Sequence, residues 1–191
     1  MCMAMLYELL LLISLFSSFS YAEDSKQVDW NKMETQFYSD LKVTQGNHTE
    51  AELEQALGYM LLEKYNQWQR AAIHYKKAVK LDPTLFNSWY NLGLIYIDKE
   101  EGNEYFRHAI KSNPNFLPPY YWLAYNYCRV GKNKKAIPIF EKYVEIATKA
   151  GDTEEFGRIK SARELLKELY SGKEGSELRE IRDLGAVTPP Q

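Results

Sequence analysis

Few side chains in this sequence have the type and spacing that nucleophilic or metal chemistry requires. Cys128 would need a histidine held beside it to act as a catalytic thiol. His48 lies in a predicted loop, and His74 and His108 lie on different predicted helices, so no nucleophile and base have a recognisable spacing. No two histidines are spaced i, i+4 as in a helical metal site. We therefore predict no enzyme activity, no metal and no cofactor, and a buried or groove-lining thiol at Cys128.

The composition is that of a folded, nearly neutral protein. The 191 residues include 24 Lys and Arg against 26 Asp and Glu, a net charge of −2. This balance gives no electrostatic reason to expect a nucleic-acid partner. Hydrophobic content of 45% and aromatic content of 14% can supply a packed core, which excludes global disorder. Two cysteines are too few for a disulfide scaffold. We expect one folded domain with tails.

The first 22 residues have the pattern of a secretory signal peptide. Residues 9–22 carry no charge, and their apolar stretch is shorter than the roughly 20 residues that cross a bilayer. Ser20-Tyr21-Ala22 fits the small-x-small cleavage pattern, so we predict cleavage after Ala22 and export to the periplasm or secretion, with no membrane span afterwards. Because no Lys or Arg precedes the stretch and Glu8 intrudes, an uncleaved N-terminal anchor or a mis-assigned start is the alternative.

A repeated spacing of aromatic and small residues organises the middle of the chain. Trp89-x-x-Leu92-Gly93-x-x-Tyr96 recurs as Tyr120-x-x-Leu123-Ala124-x-x-Tyr127, and more faintly as Glu54-x-x-Leu57-Gly58-x-x-Leu61. Each motif is followed by a series at offsets of 4, 7 and 12, which starts at the small residues Ala71, Gly102 and Ala136. Small residues let two antiparallel helices approach closely, and the aromatic rings fill the gaps between pairs. Each pair must then stack on the next.

This pattern resembles the tetratricopeptide repeat family, whose helix-turn-helix unit has these landmarks. The resemblance implies an all-α, right-handed solenoid of antiparallel helix pairs with flanking cap helices, and three repeats at about 49–85, 86–116 and 117–150. The second repeat is short, so its turn through Asp98-Lys99-Glu100-Glu101 must be tight. In the third repeat we place Pro138 in the first turn of the second helix, where a proline costs little.

The flanking segments have the periodicity of cap helices. Residues 23–48 contain a helix and a linker, and Thr49-x-x-Glu52 is a helix start for the first repeat. A capping box at Asp152-x-x-Glu155 predicts a C-terminal capping helix over 151–170, and we expect residues 171–191 to be mostly disordered, with a short helix around Glu177 to Asp183. The apolar faces are Trp30, Met33, Phe37 and Leu41 in the first helix, and Phe156, Ile159, Leu165, Leu166 and Leu169 in the last.

The resemblance also implies where a partner binds, because the first helices of such repeats line a concave face. Tyrosine side chains dominate this face here, and they offer large contact area at low entropic cost together with a polar end. Carried over residue by residue, the predicted groove consists of Gln55, Tyr59, Leu62, Asn87, Tyr90, Asn91, Leu94, Tyr121, Tyr125, Cys128 and Arg129.

One subfamily function is not expected. Cytosolic co-chaperones of this family clamp a C-terminal carboxylate with Lys, Asn and Arg side chains, and only Asn91 matches that set. Gln55 and Tyr59 replace its first pair of residues, and Pro118 and Trp122 replace its last.

The sequence therefore predicts an exported, non-enzymatic adaptor that binds a peptide or helix of a partner protein in the Tyr-rich groove. The alternative is a structural subunit of an envelope or secretory assembly, whose groove is filled by its own helices. The oligomeric state is not specified by the sequence.

Overall fold

The computed structural model describes residues 28–45, 48–151 and 156–172, and every regular element in these ranges is an α-helix, as predicted. The predicted signal peptide, the Asp152–Glu155 capping box, the tail after Gly172 and the side chains of Leu41 and Phe156 lie outside the described residues. The eight described helices are α1 Trp30–Gln45, α2 Glu50–Glu63, α3 Trp68–Leu81, α4 Phe86–Ile95, α5 Glu100–Ser112, α6 Pro118–Arg129, α7 Asn133–Ala150 and α8 Phe156–Ser171.

The chain divides between Leu81 and Asp82 into two compact units. The first unit contains α1 to α3 and the second contains α4 to α8.

In the first unit, α2 and α3 form a closely packed pair. Helix α2 begins at the predicted capping box, because the Thr49 hydroxyl accepts from the Glu52 backbone N–H while the Glu52 carboxylate accepts from the Thr49 N–H. Gly58 faces the ring of Tyr75, which is fully buried, and a Cβ at position 58 would lie 2.9 Å from that ring. The small residue of the motif therefore makes room for the aromatic residue of the next helix.

Helix α1 packs beside this pair and is held by apolar and polar contacts. Phe37 is buried, and the ring of Trp30 meets Tyr65 edge-on at 5.5 Å. The guanidinium of Arg70 on α3 donates to the carboxylate of Glu34 on α1 at 2.9 Å. The predicted N-terminal helix thus covers one side of the first helix pair.

In the second unit, the short second repeat is accommodated by its glycines. The turn between α4 and α5 is tight, with the Lys99 N–H donating to the Tyr96 carbonyl at 2.9 Å. A Cβ at Gly102 would lie only 2.3 Å from that same carbonyl oxygen, and one at Gly93 would lie 2.4 Å from the buried ring of Phe106. Only glycine fits at these two positions without moving the backbone or the ring.

Helices α6, α7 and α8 continue the stack around one core. The rings of Phe140 and Tyr143 on α7 are fully buried, and α8 contributes Ile159, Ala162, Leu165 and Leu169 to the same cluster. Gly131, at the turn before α7, has φ of 71°, the left-handed conformation that favours glycine. The placement of Pro138 was wrong. Since α7 begins at Asn133, this proline lies in the second turn and removes a helical hydrogen bond there.

Candidate functional site

Charged residues are nearly absent from α4 and α6, which are the first helices of the two repeats in the second unit. Helix α4 has no charged residue, and the only one in α6 is its last residue, Arg129. By contrast, α5 and α7 carry Lys, Arg and Glu side chains along their exposed faces. The charged residues of this unit are therefore segregated away from α4 and α6.

On α4, Tyr90 is half-buried and its ring is fixed by two neighbours. It lies 6.1 Å from the ring of Phe106 and 5.3 Å from that of Phe116, which it meets edge-on. Phe116 also packs against Phe86 at 4.9 Å. The ring of Tyr90 is thus presented in a defined orientation, which lowers the entropic cost of using it as a contact.

On α6, three half-buried rings lie next to one another. Tyr121 and Tyr125 stack at 6.3 Å, and Trp122 meets them edge-on at 5.8 and 5.6 Å. The ring of Tyr121 also packs against the buried rings of Phe140 and Tyr143, at centroid distances of 5.8 and 5.7 Å. We call Tyr90, Tyr121, Trp122 and Tyr125, on the directly contacting helices α4 and α6, the aromatic face.

A buried polar connection fixes α6 against the turn that follows α4. The side-chain amide of Asn126 donates to the Ile97 carbonyl at 2.9 Å and to the Asn103 side chain at 3.1 Å. Arg129 pairs with Asp98 and donates to the Ile97 carbonyl at 3.1 Å. The spacing of the aromatic face is therefore set by hydrogen bonds as well as by packing.

Two protein families match the helix pairs of this chain. The family described as "TPR repeat" matches residues 59–99, and the family described as "Tetratricopeptide repeat" matches residues 86–116 and 117–149. The last two matches coincide with the helix pairs α4–α5 and α6–α7. The chain contains tetratricopeptide repeats. Proteins built from these repeats are generally adaptors that bind other proteins, and the fold supports a protein–protein interaction role here.

Two solved structures are similar in fold. MamA has 23% sequence identity and a TM-score of 0.55, and the match covers 83% of this chain and 89% of that one. YrrB, described as a TPR protein with an unusual peptide-binding site, has 24% identity and a TM-score of 0.50, with 80% and 77% covered.

A curated relative is much longer than this chain. Anaphase-promoting complex subunit 3 of Schizosaccharomyces pombe is 23% identical over 128 residues, which are 65% of this chain but 18% of the relative. The similarity therefore concerns the repeats and not the whole of that protein.

For two of the predicted groove residues the expectation needs correction. Cys128 is fully buried in the core of the second unit, and Leu62 is only 8% exposed in the first. Both follow an aromatic or apolar motif position by one residue, and packing draws them inward. Arg129 is a third special case, since its guanidinium is already engaged by Asp98 and the Ile97 carbonyl.

The remaining predicted residues are half-buried on first helices of the repeats. Gln55 and Tyr59 lie on α2 in the first unit, where burial and then the charge of Glu63 raise the pKa of Tyr59. In the second unit, α4 carries Asn87, Tyr90, Asn91 and Leu94, and α6 carries Tyr121 and Tyr125. Trp122, which the sequence prediction omitted, also belongs to this surface, and its signal was the run of adjacent aromatic residues from Tyr120 to Trp122. Phe116, also omitted, packs against Tyr90.

Metal binding finds no support among the residues that the structure describes, because no three His, Cys, Asp or Glu side chains in that part of the chain are grouped to hold an ion. Among the described helices, none is both long and apolar enough to cross a membrane.

Proposed function

We propose that this protein is a non-enzymatic adaptor that binds a segment of a partner protein on the aromatic face. The observation that carries the proposal is the segregation of charge. A chain with 24 basic and 26 acidic residues leaves α4 and α6 uncharged up to Arg129, and these helices carry the half-buried rings of the aromatic face. Such rings are the anchors that dominate binding energy at protein interfaces.

The chemistry of the face disfavours an acidic partner segment. A carboxylate placed over Tyr121 or Tyr125 would lose hydration without gaining an ion pair from α4 or α6. The half-buried amide of Asn87 on α4 carries both donors and an acceptor, which suits the backbone of an extended peptide. The description of YrrB as a peptide-binding repeat protein is consistent with this mode of recognition.

A quantitative capture experiment tests the proposal. The wild-type chain, a Tyr90→Ser/Tyr125→Ser variant and a Tyr170→Ser variant are used as baits in extracts of the native host. Tyr170 is a matched control, because it is a tyrosine of the same unit that is 62% exposed on α8. A partner that supports the proposal is retained by the wild type and the control and is lost at least tenfold from the double variant. Equal retention by all three folded baits contradicts it.

We also propose that the protein acts outside the cytoplasm after removal of residues 1–22. The proposal is supported by the uncharged stretch of residues 9–22 and the small residues of Ser20-Tyr21-Ala22. Intact-mass measurement of the protein purified from its host tests it. A chain that begins at Glu23 is expected, and a chain that retains Met1 contradicts the proposal.

A further inference from the structure

We propose that the aromatic face binds an uncharged segment of this same chain, Leu184–Gln191, which a partner must displace. This inference rests on the proposed function, since it names an occupant for the same face. The segment lies outside the described residues, and it follows α8, which ends at Ser171.

The segment and the aromatic face match in their lack of charged side chains. The sequence after Gly172 is rich in charge through Asp183, and it then continues as Leu184-Gly-Ala-Val-Thr-Pro-Pro-Gln191 without any charged side chain. Helices α4 and α6 are uncharged up to Arg129, whose guanidinium is engaged by Asp98. The side chains of Leu184–Gln191 can therefore cover the aromatic face without burying an unpaired carboxylate, whereas the acidic side chains of residues 173–183 would find no cation on α4 or α6.

The segment contains two adjacent prolines, which suit a surface of aromatic rings. A proline ring fixes φ near the value of an extended, polyproline-like chain, so a segment with Pro189 and Pro190 has less conformational entropy to lose on binding. Proline-rich segments dock on surfaces lined by aromatic rings in several recognition modules. The adjacent rings of Tyr121, Trp122 and Tyr125 form such a surface.

The chain after α8 is long enough to bring the segment to the aromatic face. The last turn of α8 lies beside α7, because the Tyr170 hydroxyl hydrogen-bonds to the Glu141 carboxylate. The neighbouring residue, Phe140, contacts Tyr121 at 5.8 Å. The path from α8 to the aromatic face therefore crosses about two helix–helix spacings, roughly 20 Å. The residues between Gly172 and Leu184 can span about 40 Å when extended, and about 25 Å if Glu177 to Asp183 form the expected short helix, so the segment can reach the face in either case.

Tethering makes this contact effective even when it is weak. A segment joined by a short linker has an effective concentration in the millimolar range at its site. A partner then binds the intact chain more weakly than it would bind a chain whose segment no longer occupies the face. The aromatic face would thus be covered until a partner of higher affinity arrives.

Photocrosslinking in the purified full-length chain tests the inference. Val187 is replaced by a photoreactive phenylalanine, and equal amounts of unlabelled and ¹⁵N-labelled chains are mixed before irradiation. We expect adducts within a single chain to peptides of α4 or α6, and at least a threefold lower yield in a Pro189→Gly/Pro190→Gly variant. Adducts that join labelled to unlabelled chains, adducts on α5 only, or no adduct would overturn the inference.

The outcome is independent of the test of the proposed function. If a partner is lost from the Tyr90→Ser/Tyr125→Ser bait while Val187 gives no adduct on α4 or α6, the inference fails and the adaptor proposal stands. If Val187 labels α4 or α6 but no partner depends on Tyr90 and Tyr125, the inference stands and the adaptor proposal fails.

Discussion

The Nδ1 atom of His74 lies 2.6 Å from a carboxylate oxygen of Glu54, and both side chains are less than a tenth exposed. The other ring nitrogen of His74 faces Glu34 of α1 at 3.5 Å. Lys77 approaches Glu54 at 3.5 Å, and Arg70 pairs with Glu34 at 2.9 Å. Because these residues come from all three helices of the first unit, the polar cluster specifies how α1 packs on the first helix pair.

Removing one member of this cluster should destabilise the first unit strongly. In Glu54→Ala the buried His74 loses its closest hydrogen-bond partner, and leaving a buried polar group unsatisfied costs about 1–3 kcal/mol. Urea denaturation of the full chain measures the loss. Glu145→Ala is the control, since the Glu145 carboxylate pairs with Lys149 and Lys142 on an exposed surface, where solvent screens the pairs. Similar losses in the two variants would contradict a structural role for the Glu54–His74 pair.

The glycines at the tight contacts should not tolerate a methyl group. In Gly102→Ala the new Cβ would lie 2.3 Å from the Tyr96 carbonyl oxygen, which belongs to the backbone and cannot rotate away. We expect a loss of at least about 1–3 kcal/mol in the free energy of unfolding.

Gly157→Ala is the matched control for this substitution. It lies on α8 with no atom within 4 Å of the added Cβ, and we expect a gain of about 0.5–1 kcal/mol there. Thermal unfolding of both variants checks the two signs, and equal stability would contradict the contact.

The capping box should give helix α2 a measurable acid dependence. The pKa of Glu52 is lowered chiefly by the hydrogen bond from the Thr49 backbone N–H. A lowered folded-state pKa adds stability that is fully present above the unfolded-state pKa, near the ordinary 4.5. It is lost as the pH falls through the lower folded-state pKa. Glu52→Gln should therefore flatten the stability profile below about pH 4.5. A profile as steep as that of the wild type, recorded by urea denaturation at several pH values, would contradict this account.

The thiol of Cys128 should be protected in the folded chain. It is fully buried among the core residues of the second unit, so a thiol reagent can reach it only after opening of that core. In a Cys2→Ser background we expect labelling by Ellman's reagent to be at least a hundredfold slower in buffer than in denaturing urea. Labelling at comparable rates would contradict the burial of Cys128 and would support the prediction that it lines the groove.

The fold could be predicted from the sequence because its main contacts join residues that are close in sequence and recur at a constant spacing. The pairs Gly58–Tyr75 and Gly93–Phe106 each join a small residue of one helix to a ring of the next, and the motif spacing specifies both. Adjacent helices in such a repeat have few ways to pack once these contacts are made. The all-α helix-pair architecture followed directly.

The polar contacts were not predictable in the same way. Glu54 and His74 are 20 residues apart on two helices, and a search for i, i+4 pairs examines one helix only. A carboxylate at the position where the motif expects an aromatic residue was the available signal. Arg129 was assigned to the groove from its motif position, but its use by Asp98 depends on the short turn after α4, which only the coordinates reveal.

Site-specific photocrosslinking in the native host is the most direct test of the claim that the aromatic face binds a partner. A photoreactive residue is introduced at Tyr90 or Tyr125, and at Lys111, an exposed position on α5, as the control. We predict a discrete adduct with one partner protein from the two face positions and none from Lys111. Adducts from Lys111 alone, or from all three positions equally, would contradict the account.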